Sequence, residues 1–320
     1  ETAGVAMFGL ARFLPMGGGL YLGWSLGAND AANVFGTAVG THIIGFRRAA
    51  GFCALMVVVG AVLQGGEGIE TLSGITGQTV TTAVLVSVAA ALTGTFMTLR
   101  RIPISTSQAV VGAILGIGLA TRDTDYGELG KVVLCWVGTP LGAMAFAMVF
   151  YKVMAVVLRR LPMSLLTRDK LLWAGLYIVG MYGSYALGAN NVANTTGMFS
   201  GLVEGVNDRH LAAIGGVAIA AGVLTYSKRV MLSVGQGVMR LDAFTAFVAV
   251  LSMSATVHIF AMVGVPVSTS QGIVGAIFGI GILRGGHVLR FKALRDIVIG
   301  WVMTPAIALV LSAAGYAIFR

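Results

Sequence analysis

Charge is scarce in this sequence. Its 320 residues include 21 basic and 12 acidic ones, so only 10% are charged, whereas soluble domains usually carry about 25%. So few charges could not cover the surface of a soluble fold of this length. Cysteine is scarcer still, and both Cys53 and Cys135 lie in apolar runs, which predicts neither a disulfide nor a thiolate metal site. The four histidines show no metal-ligand spacing, so we expect no cofactor.

Apolar residues and glycine take the place of the missing charge. The apolar fraction is 57%, glycine occurs 46 times, and the mean hydropathy is +0.90. Runs such as 49–64 and 78–99 approach or reach the roughly 20 residues that cross a bilayer as a helix. The pattern recurs along the whole chain, so a cleavable signal does not explain it. The fold class predicted is an all-α, multi-pass membrane protein in the plasma or inner membrane.

The chain contains two copies of one unit, which predicts a division into 1–160 and 161–320. Gly-Ala-Asn-Asp-Ala-Ala-Asn at 27–33 returns as Gly-Ala-Asn-Asn-Val-Ala-Asn at 188–194. Pro-Ile-Ser-Thr-Ser-Gln at 103–108 returns as Pro-Val-Ser-Thr-Ser-Gln at 266–271. A third match joins Trp136, Thr139 and Pro140 to Trp301, Thr304 and Pro305.

Each copy holds about five hydrophobic segments, and an odd number inverts the second copy relative to the first. The segments are 13–44, 48–65, 78–99, 103–120 and 130–158, then 172–203, 210–226, 242–264, 266–283 and 296–319. Inverted repeats of this kind build many secondary transporters. The short fourth and ninth segments could span the membrane or re-enter it.

The charges agree with this topology. If each segment crosses once and the N-terminus lies outside, 16 of the 21 basic residues fall on the cytoplasmic side. Cytoplasmic loops of membrane proteins carry such an excess of Lys and Arg. The net charge of +9 therefore indicates topology and not nucleic-acid binding, and both termini are predicted to be extracytoplasmic.

The first motif places polar residues inside apolar segments. Asp30 would be costly at membrane depth unless it faces a cavity or binds a cation. The amides could join helices by hydrogen bonds, but their carbonyl oxygens also suit Na⁺, and Asn and Gly should interrupt the helices there. We predict that Na⁺ is bound by Asn29, Asp30, Asn33, Asn190 and Asn194. Na⁺ is favoured over H⁺ because amide oxygens are many and titratable groups few.

The second motif has the composition of a helix start. Proline suits the first turn, and Ser and Thr suit the cap. A helix N-terminus with free N–H groups is a potential anion site, although simple capping would need the same residues. With both copies facing each other, the predicted residues of a phosphate site are Asp30, Ser105, Thr106, Ser107, Gln108, Asn191, Ser268, Thr269, Ser270 and Gln271.

The duplicated Gly-Ala-Asn-[Asp/Asn]-x-Ala-Asn and Pro-x-Ser-Thr-Ser-Gln-x-x-Val-Gly-Ala motifs resemble the PiT-type inorganic phosphate transporter family over nearly the whole chain. The resemblance implies a Na⁺- or H⁺-coupled phosphate symporter, with both termini outside and a homodimeric state. Relatives that carry sulfate share the architecture. Many members have Asp where this chain has Asn191, and Thr-His where it has Ser107-Gln108 and Ser270-Gln271. These departures put the coupling stoichiometry in question and weaken coupling through protons.

Four functions are open at this point. They are a phosphate symporter, a sulfate or other oxyanion permease, a membrane-embedded enzyme that uses Asp30 and a serine, and an ion channel. No paired carboxylates or metal motif support an enzyme, and a duplicated site favours alternating access over an open pore. Phosphate is preferred to sulfate because Asp30 could accept a hydrogen that only phosphate carries near pH 7.

Overall fold

A computed structural model describes residues 13–100, 104–234, 241–285 and 291–320. This part of the chain contains twelve α-helices and no strand. Pro103 of the second motif lies outside the described residues, as do Arg12, Arg101, Arg240 and Arg290 from the charge pattern. The all-α prediction is confirmed.

Each repeat contributes six helices. In the first repeat, a short 3₁₀ turn at Leu14–Met16 is followed by α1 (Gly17–Gly40), α2 (Phe46–Gln64), α3 (Gly66–Gly74), α4 (Val80–Leu99), α5 (Thr106–Thr121) and α6 (Tyr126–Arg160). In the second they are α7 (Leu165–Thr196, continued by a 3₁₀ turn at Gly197–Phe199), α8 (Asp208–Thr225), α9 (Ser227–Val234), α10 (Ala243–Met262), α11 (Thr269–Leu283) and α12 (Phe291–Phe319).

The prediction that α1 and α7 are interrupted at their polar motifs is wrong. Helix α1 runs unbroken through 27–33, and α7 runs unbroken through 188–194. The helices instead begin anew at α5 and α11, where the extended residues Ser105 and Ser268 cap the helix starts. The short helices α3 and α9 were not among the five predicted segments of each repeat.

The two repeats are inverted relative to each other. Near the start of α1, a Cβ placed on Gly19 would meet the Thr195 carbonyl oxygen near the end of α7. Near the end of α1, Phe35 lies against Gly180 in the first half of α7. The equivalent helices α1 and α7 therefore run antiparallel, which is the relation that an inverted repeat requires.

The helices of the two repeats also interleave. Gly112 of α5 packs against the Pro305 carbonyl of α12, and the equivalent Gly275 of α11 packs against the Pro140 carbonyl of α6. Exchanging the repeats therefore exchanges the two contacts, as a pseudo-twofold axis demands. The division at residues 160 and 161 stays a prediction from the sequence, because helices of each half pack against helices of the other.

Six of the described helices are long and apolar enough to cross a bilayer, namely α2, α4, α6, α7, α10 and α12. On α6 and α12, apolar side chains such as Leu134 and Val302 are 73% and 69% exposed, which suits contact with lipid. Helices α5 and α11 are only about 24 and 22 Å long, shorter than a hydrocarbon core of about 30 Å.

Candidate functional site

The serine-rich motifs begin α5 and α11, as predicted. Ser105 caps α5, and its Oγ accepts a hydrogen bond from the Gln108 backbone N–H at 3.4 Å. Ser268 caps α11 in the same way, accepting from the Gln271 N–H at 3.3 Å. Both caps are buried. The two short helices therefore begin inside the protein, as the re-entrant alternative expects.

These two helix starts lie next to each other. The Ser107 Oγ donates to the carbonyl oxygen of Val267 at 3.1 Å. Val267 directly precedes Ser268, the cap of α11, so the first turn of α5 touches the segment that leads into α11. The second motifs of the two repeats thus share one region of the protein interior.

Asp30 links α1 to both partners from the second repeat. Its Oδ2 accepts a hydrogen bond from the Thr269 Oγ1 of α11 at 2.8 Å and another from the Asn191 Nδ2 of α7 at 3.3 Å. Its Oδ1 accepts only a long bond, at 3.4 Å, from Asn33 Nδ2. Asp30 and Asn191 are equivalent residues of the two repeats, so the carboxylate lies beside the pseudo-twofold axis.

Amide groups join each long helix to the helix start of the other repeat. Asn33 Nδ2 of α1 lies 3.3 Å from Thr269 Oγ1 and 3.3 Å from Ser270 Oγ of α11. The equivalent Asn194 Nδ2 of α7 donates to Ser107 Oγ of α5 at 2.9 Å. Five predicted cation-site and anion-site residues therefore form two hydrogen-bonded groups, Asn33 with Thr269 and Ser270, and Asn194 with Ser107.

The side-chain amide of Asn190 binds the backbone of Val267. Its Nδ2 donates to the Val267 carbonyl at 2.7 Å, and its Oδ1 accepts from the Val267 N–H at 2.8 Å. Its Nδ2 also lies 3.0 Å from Asn191 Oδ1, which Asn194 Nδ2 contacts at 3.1 Å. The amides of α7 thus form a continuous network that ends at the segment before α11.

Three buried carbonyl-type oxygens near this network accept no hydrogen bond from any residue that the structure describes. They are Gln108 Oε1, Gln271 Oε1 and Asn194 Oδ1. A buried acceptor without a partner is costly, and oxygens of this kind are what hard cations bind. The two glutamines are predicted residues of the phosphate site, whereas their orphan atoms are acceptors, which suit a cation better than an anion.

Two predicted residues stand apart. Asn29 is half-buried, and its Nδ2 donates to the Ser25 carbonyl of its own helix at 2.8 Å. Thr106 is also half-buried. Within the described part of the chain, neither side chain makes a hydrogen bond to another predicted site residue.

Val267 is the participant that the sequence did not indicate. Its contribution is a backbone N–H and carbonyl, which no residue type specifies. A signal was present in Pro266, because the residues around a proline tend to be extended and leave their neighbours' backbone groups free for other partners.

The cluster has one formal charge. Asp30 is its only carboxylate, and among the described residues no Lys or Arg forms a hydrogen bond or ion pair with it. The same part of the chain contains no group of three His, Cys, Asp or Glu residues that could hold a metal ion.

A buried polar cluster where two inverted helical repeats meet defines a secondary membrane transporter. Comparison with known proteins gives the family. The model described as the phosphate transporter family matches residues 26–312, so the chain belongs to that family.

Individual relatives agree with this membership. A protein of Methanocaldococcus jannaschii that is described as a phosphate permease is 27% identical, over 91% of this chain and 92% of its own length. A sulfate permease of Bacillus subtilis is 30% identical, over 92% of this chain and 84% of its own length. A solved structure titled "The sodium-dependent phosphate transporter" has the same fold, with a TM-score of 0.84 and 23% identity, over 96% of this chain and 98% of that one.

Proposed function

We propose that this protein is a symporter that carries inorganic phosphate together with Na⁺ by alternating access. The observation that carries the proposal is the interior contact of Asp30 with Thr269 and Asn191. This contact places the single carboxylate of α1 between the start of α11 and the amide network of α7.

The anion half of the site is built from two helix N-termini. Helices α5 and α11 begin inside the protein, where their positive dipole ends and free N–H groups favour an anion. Thr106 and Ser270 are half-buried at these starts, so their hydroxyls can reach an incoming ligand. The absence of a Lys or Arg clamp suits a transported substrate, which must be released as readily as it binds.

The cation half combines the Asp30 carboxylate with neutral oxygens. Asp30 Oδ1 accepts only one long hydrogen bond, and the oxygens of Asn194, Gln108 and Gln271 have no donor. A bound Na⁺ can be a partner for all four of these oxygens, whereas a proton could bond to only one of them. The fold shared with a solved sodium-dependent phosphate transporter supports the same choice of ion.

Sulfate transport is the second candidate, and the identity of 30% to a sulfate permease favours it. Phosphate remains preferred because Asp30 Oδ1 can accept its hydrogen, while sulfate would bring only a like charge to the carboxylate. If Na⁺ is not the coupling ion, H⁺ is the alternative. We also propose that the protein is a homodimer and that both termini lie on the outer side of the plasma or inner membrane.

Uptake of labelled phosphate into proteoliposomes tests the proposal. An inward Na⁺ gradient at equal pH should drive accumulation, whereas a pH gradient without Na⁺ should not. Unlabelled sulfate at the concentration of phosphate should leave uptake nearly unchanged. Uptake driven by the pH gradient alone would contradict Na⁺ coupling, and equal inhibition by sulfate would contradict the role given to Asp30 in selectivity.

A further inference from the structure

Five equivalent pairs of the cluster differ in exposure between the two repeats, whereas three further pairs are buried in both, namely Asp30 with Asn191, Ser105 with Ser268 and Gln108 with Gln271. Five residues on one side are buried, with exposed fractions of 0–1%: Ser107, Asn190, Asn194, Val267 and Thr269. Their five repeat partners are all half-buried: Ser270, Asn29, Asn33, Ile104 and Thr106. Because all five pairs differ in the same direction, the cluster is closed on the Val267 side and open on the Ile104 side.

Three hydrogen bonds hold the closed side, and we call them the Val267 clamp. The Val267 carbonyl accepts from Asn190 Nδ2 at 2.7 Å and from Ser107 Oγ at 3.1 Å. The Val267 N–H donates to Asn190 Oδ1 at 2.8 Å. One side chain of α7 and one of α5 thus fix the extended segment before α11.

None of these bonds exists at the equivalent place. Between the described residues Asn29, Ser270 and Ile104, no hydrogen bond forms. Instead, Asn29 Nδ2 donates to the Ser25 carbonyl one turn earlier in α1. Ser270 Oγ contacts Asn33 but not Ile104. The chemical groups of a second clamp are therefore present in the sequence but are not engaged.

We propose that Asn190 and Asn29 are alternately used positioning residues, which close the cluster by binding the backbone of Val267 in one state and of Ile104 in the other. The inference rests on the proposed function, since it supplies the two states of alternating access. It assigns Asn190 a structural bond in place of the cation contact predicted from the sequence. The symmetry of the repeats makes the second state available without new residue types.

The predicted topology gives the direction of opening. Ile104 and Arg100 lie at the connection after the predicted segment 78–99, which falls on the cytoplasmic side. Val267 follows Gly264, whose neighbours include Glu67 in the connection after segment 48–65, which falls on the outer side. The described state is then closed to the outside and open to the cytoplasm.

Cysteine labelling of the full chain in membranes tests this proposal. Ile104→Cys and Val267→Cys are each treated with a membrane-impermeant maleimide in open membrane fragments, where the reagent reaches both faces, in the absence of Na⁺ and phosphate. Ile104→Cys should react and Val267→Cys should not. Adding Asn190→Ala should raise the labelling rate of Val267→Cys on the order of tenfold. The lost hydrogen bonds should shift the equilibrium between the closed and open states of this side by about that factor. The native cysteines Cys53 and Cys135 are buried, and the parent chain measures their background.

Asn29→Ala is the matched control, because it makes the same chemical change at the equivalent residue. It should leave Val267→Cys protected and keep Ile104→Cys reactive even when Na⁺ and phosphate are added. Ser107→Ala removes one bond of the clamp and should give a smaller rise at Val267→Cys, which keeps the test valid if Asn190→Ala fails to fold. Equal effects of Asn190→Ala and Asn29→Ala at Val267→Cys would overturn the proposal. Because the labelling of Val267→Cys needs no substrate, a failure of phosphate uptake would not affect that comparison.

Discussion

Within the described part of the chain, Asp30 and Asn191 form the one side-chain hydrogen bond between equivalent polar residues of the two repeats. Their atoms Oδ2 and Nδ2 are 3.3 Å apart. Two carboxylates at that separation could not both stay ionised without a cation or a proton between them. With Asn191 the contact is a hydrogen bond, so one positive charge suffices to neutralise the site. The number of coupling ions should therefore depend on this residue.

Exchanging the charge at these two positions tests that dependence. Asp30→Asn should lower Na⁺-dependent phosphate uptake about tenfold or more, because charge-assisted contacts to a bound cation are lost. The protein should still fold, since the new amide oxygen can accept from Thr269. Asn191→Asp should instead lower the melting temperature in Na⁺-free buffer and restore it as Na⁺ is added. Uptake in reconstituted liposomes and melting in detergent provide the two measurements.

Unchanged Na⁺ dependence in Asp30→Asn would remove this residue from the cation site. If the melting temperature of Asn191→Asp does not change when Na⁺ is added, the added carboxylate binds no cation.

At the scale of single residues, the sequence predicted many of the side chains that meet, although not Asn29 and Thr106, and it did not predict what each one binds. Matched motifs identified Asp30, Asn191 and Thr269 as one cluster because duplicated polar residues in apolar segments need each other. Asn190 satisfies both ends of its amide on the Val267 backbone. Since a backbone partner leaves no mark in composition, sequence reasoning could not find it.

At the scale of helices, the polar motifs do not break α1 and α7 because their amides are satisfied in place. An Asn destabilises a helix by less than about 0.7 kcal/mol relative to Ala. Each hydrogen bond of the buried network stabilises the folded protein by a comparable amount. Propensity alone predicted interruption at 27–33 and 188–194. The real breaks precede Ser105 and Ser268, where the cap geometry was correctly predicted. The short helices α3 and α9 escaped prediction because runs of nine and eight residues give little periodicity.

The contact between α5 and α12 explains two of the matched sequence motifs together. Gly112 leaves no room for a Cβ against the Pro305 backbone, and Gly275 meets Pro140 in the same way. Each Val-Gly-Ala motif therefore packs against the Thr-Pro motif of the other repeat. The spacing of small residues predicted close helix packing, but not this exchange of partners.

Gly112→Ala and Gly275→Ala should each destabilise the protein by about 1–3 kcal/mol, the usual cost of overpacking. Gly51→Ala is the control, because an added Cβ at this exposed position in α2 meets no atom within 4 Å. Thermal unfolding in detergent should show lower melting temperatures for the two packed glycines and no decrease for Gly51→Ala. Equal shifts in all three variants would mean that helix propensity, and not the interhelical contact, sets the effect.

At the scale of the whole molecule, inversion was predictable because it follows from parity. Whether the short helices α5 and α11 cross the membrane or re-enter it as hairpins with α4 and α10, each repeat crosses an odd number of times. The antiparallel course of α1 and α7 agrees. The interleaving of the repeats was not predictable, because it depends on shape at helix contacts and not on hydrophobic periodicity.

Orientation in the membrane is the last property that the charges predict. The turn between the repeats is flanked by Arg159, Arg160 and Arg168, whereas the connection after α7 carries Glu204 and Asp208. Positive residues concentrate on the cytoplasmic side, so α7 should carry the chain from inside to outside.

Single cysteines at the two ends of α7 test this orientation. In intact cells, Glu204→Cys should react with a membrane-impermeant maleimide, whereas Leu161→Cys should react only after permeabilisation; both positions are exposed. The parent chain, whose two cysteines are buried, corrects for background. Reaction of both positions from outside would contradict a membrane crossing by α7. In the reverse pattern, Leu161→Cys would react from outside and Glu204→Cys only after permeabilisation. The Val267 clamp and the inverted repeats would then still hold, but the open Ile104 side would face the exterior. This follows because the direction of opening depends only on which end of α7 faces the cytoplasm.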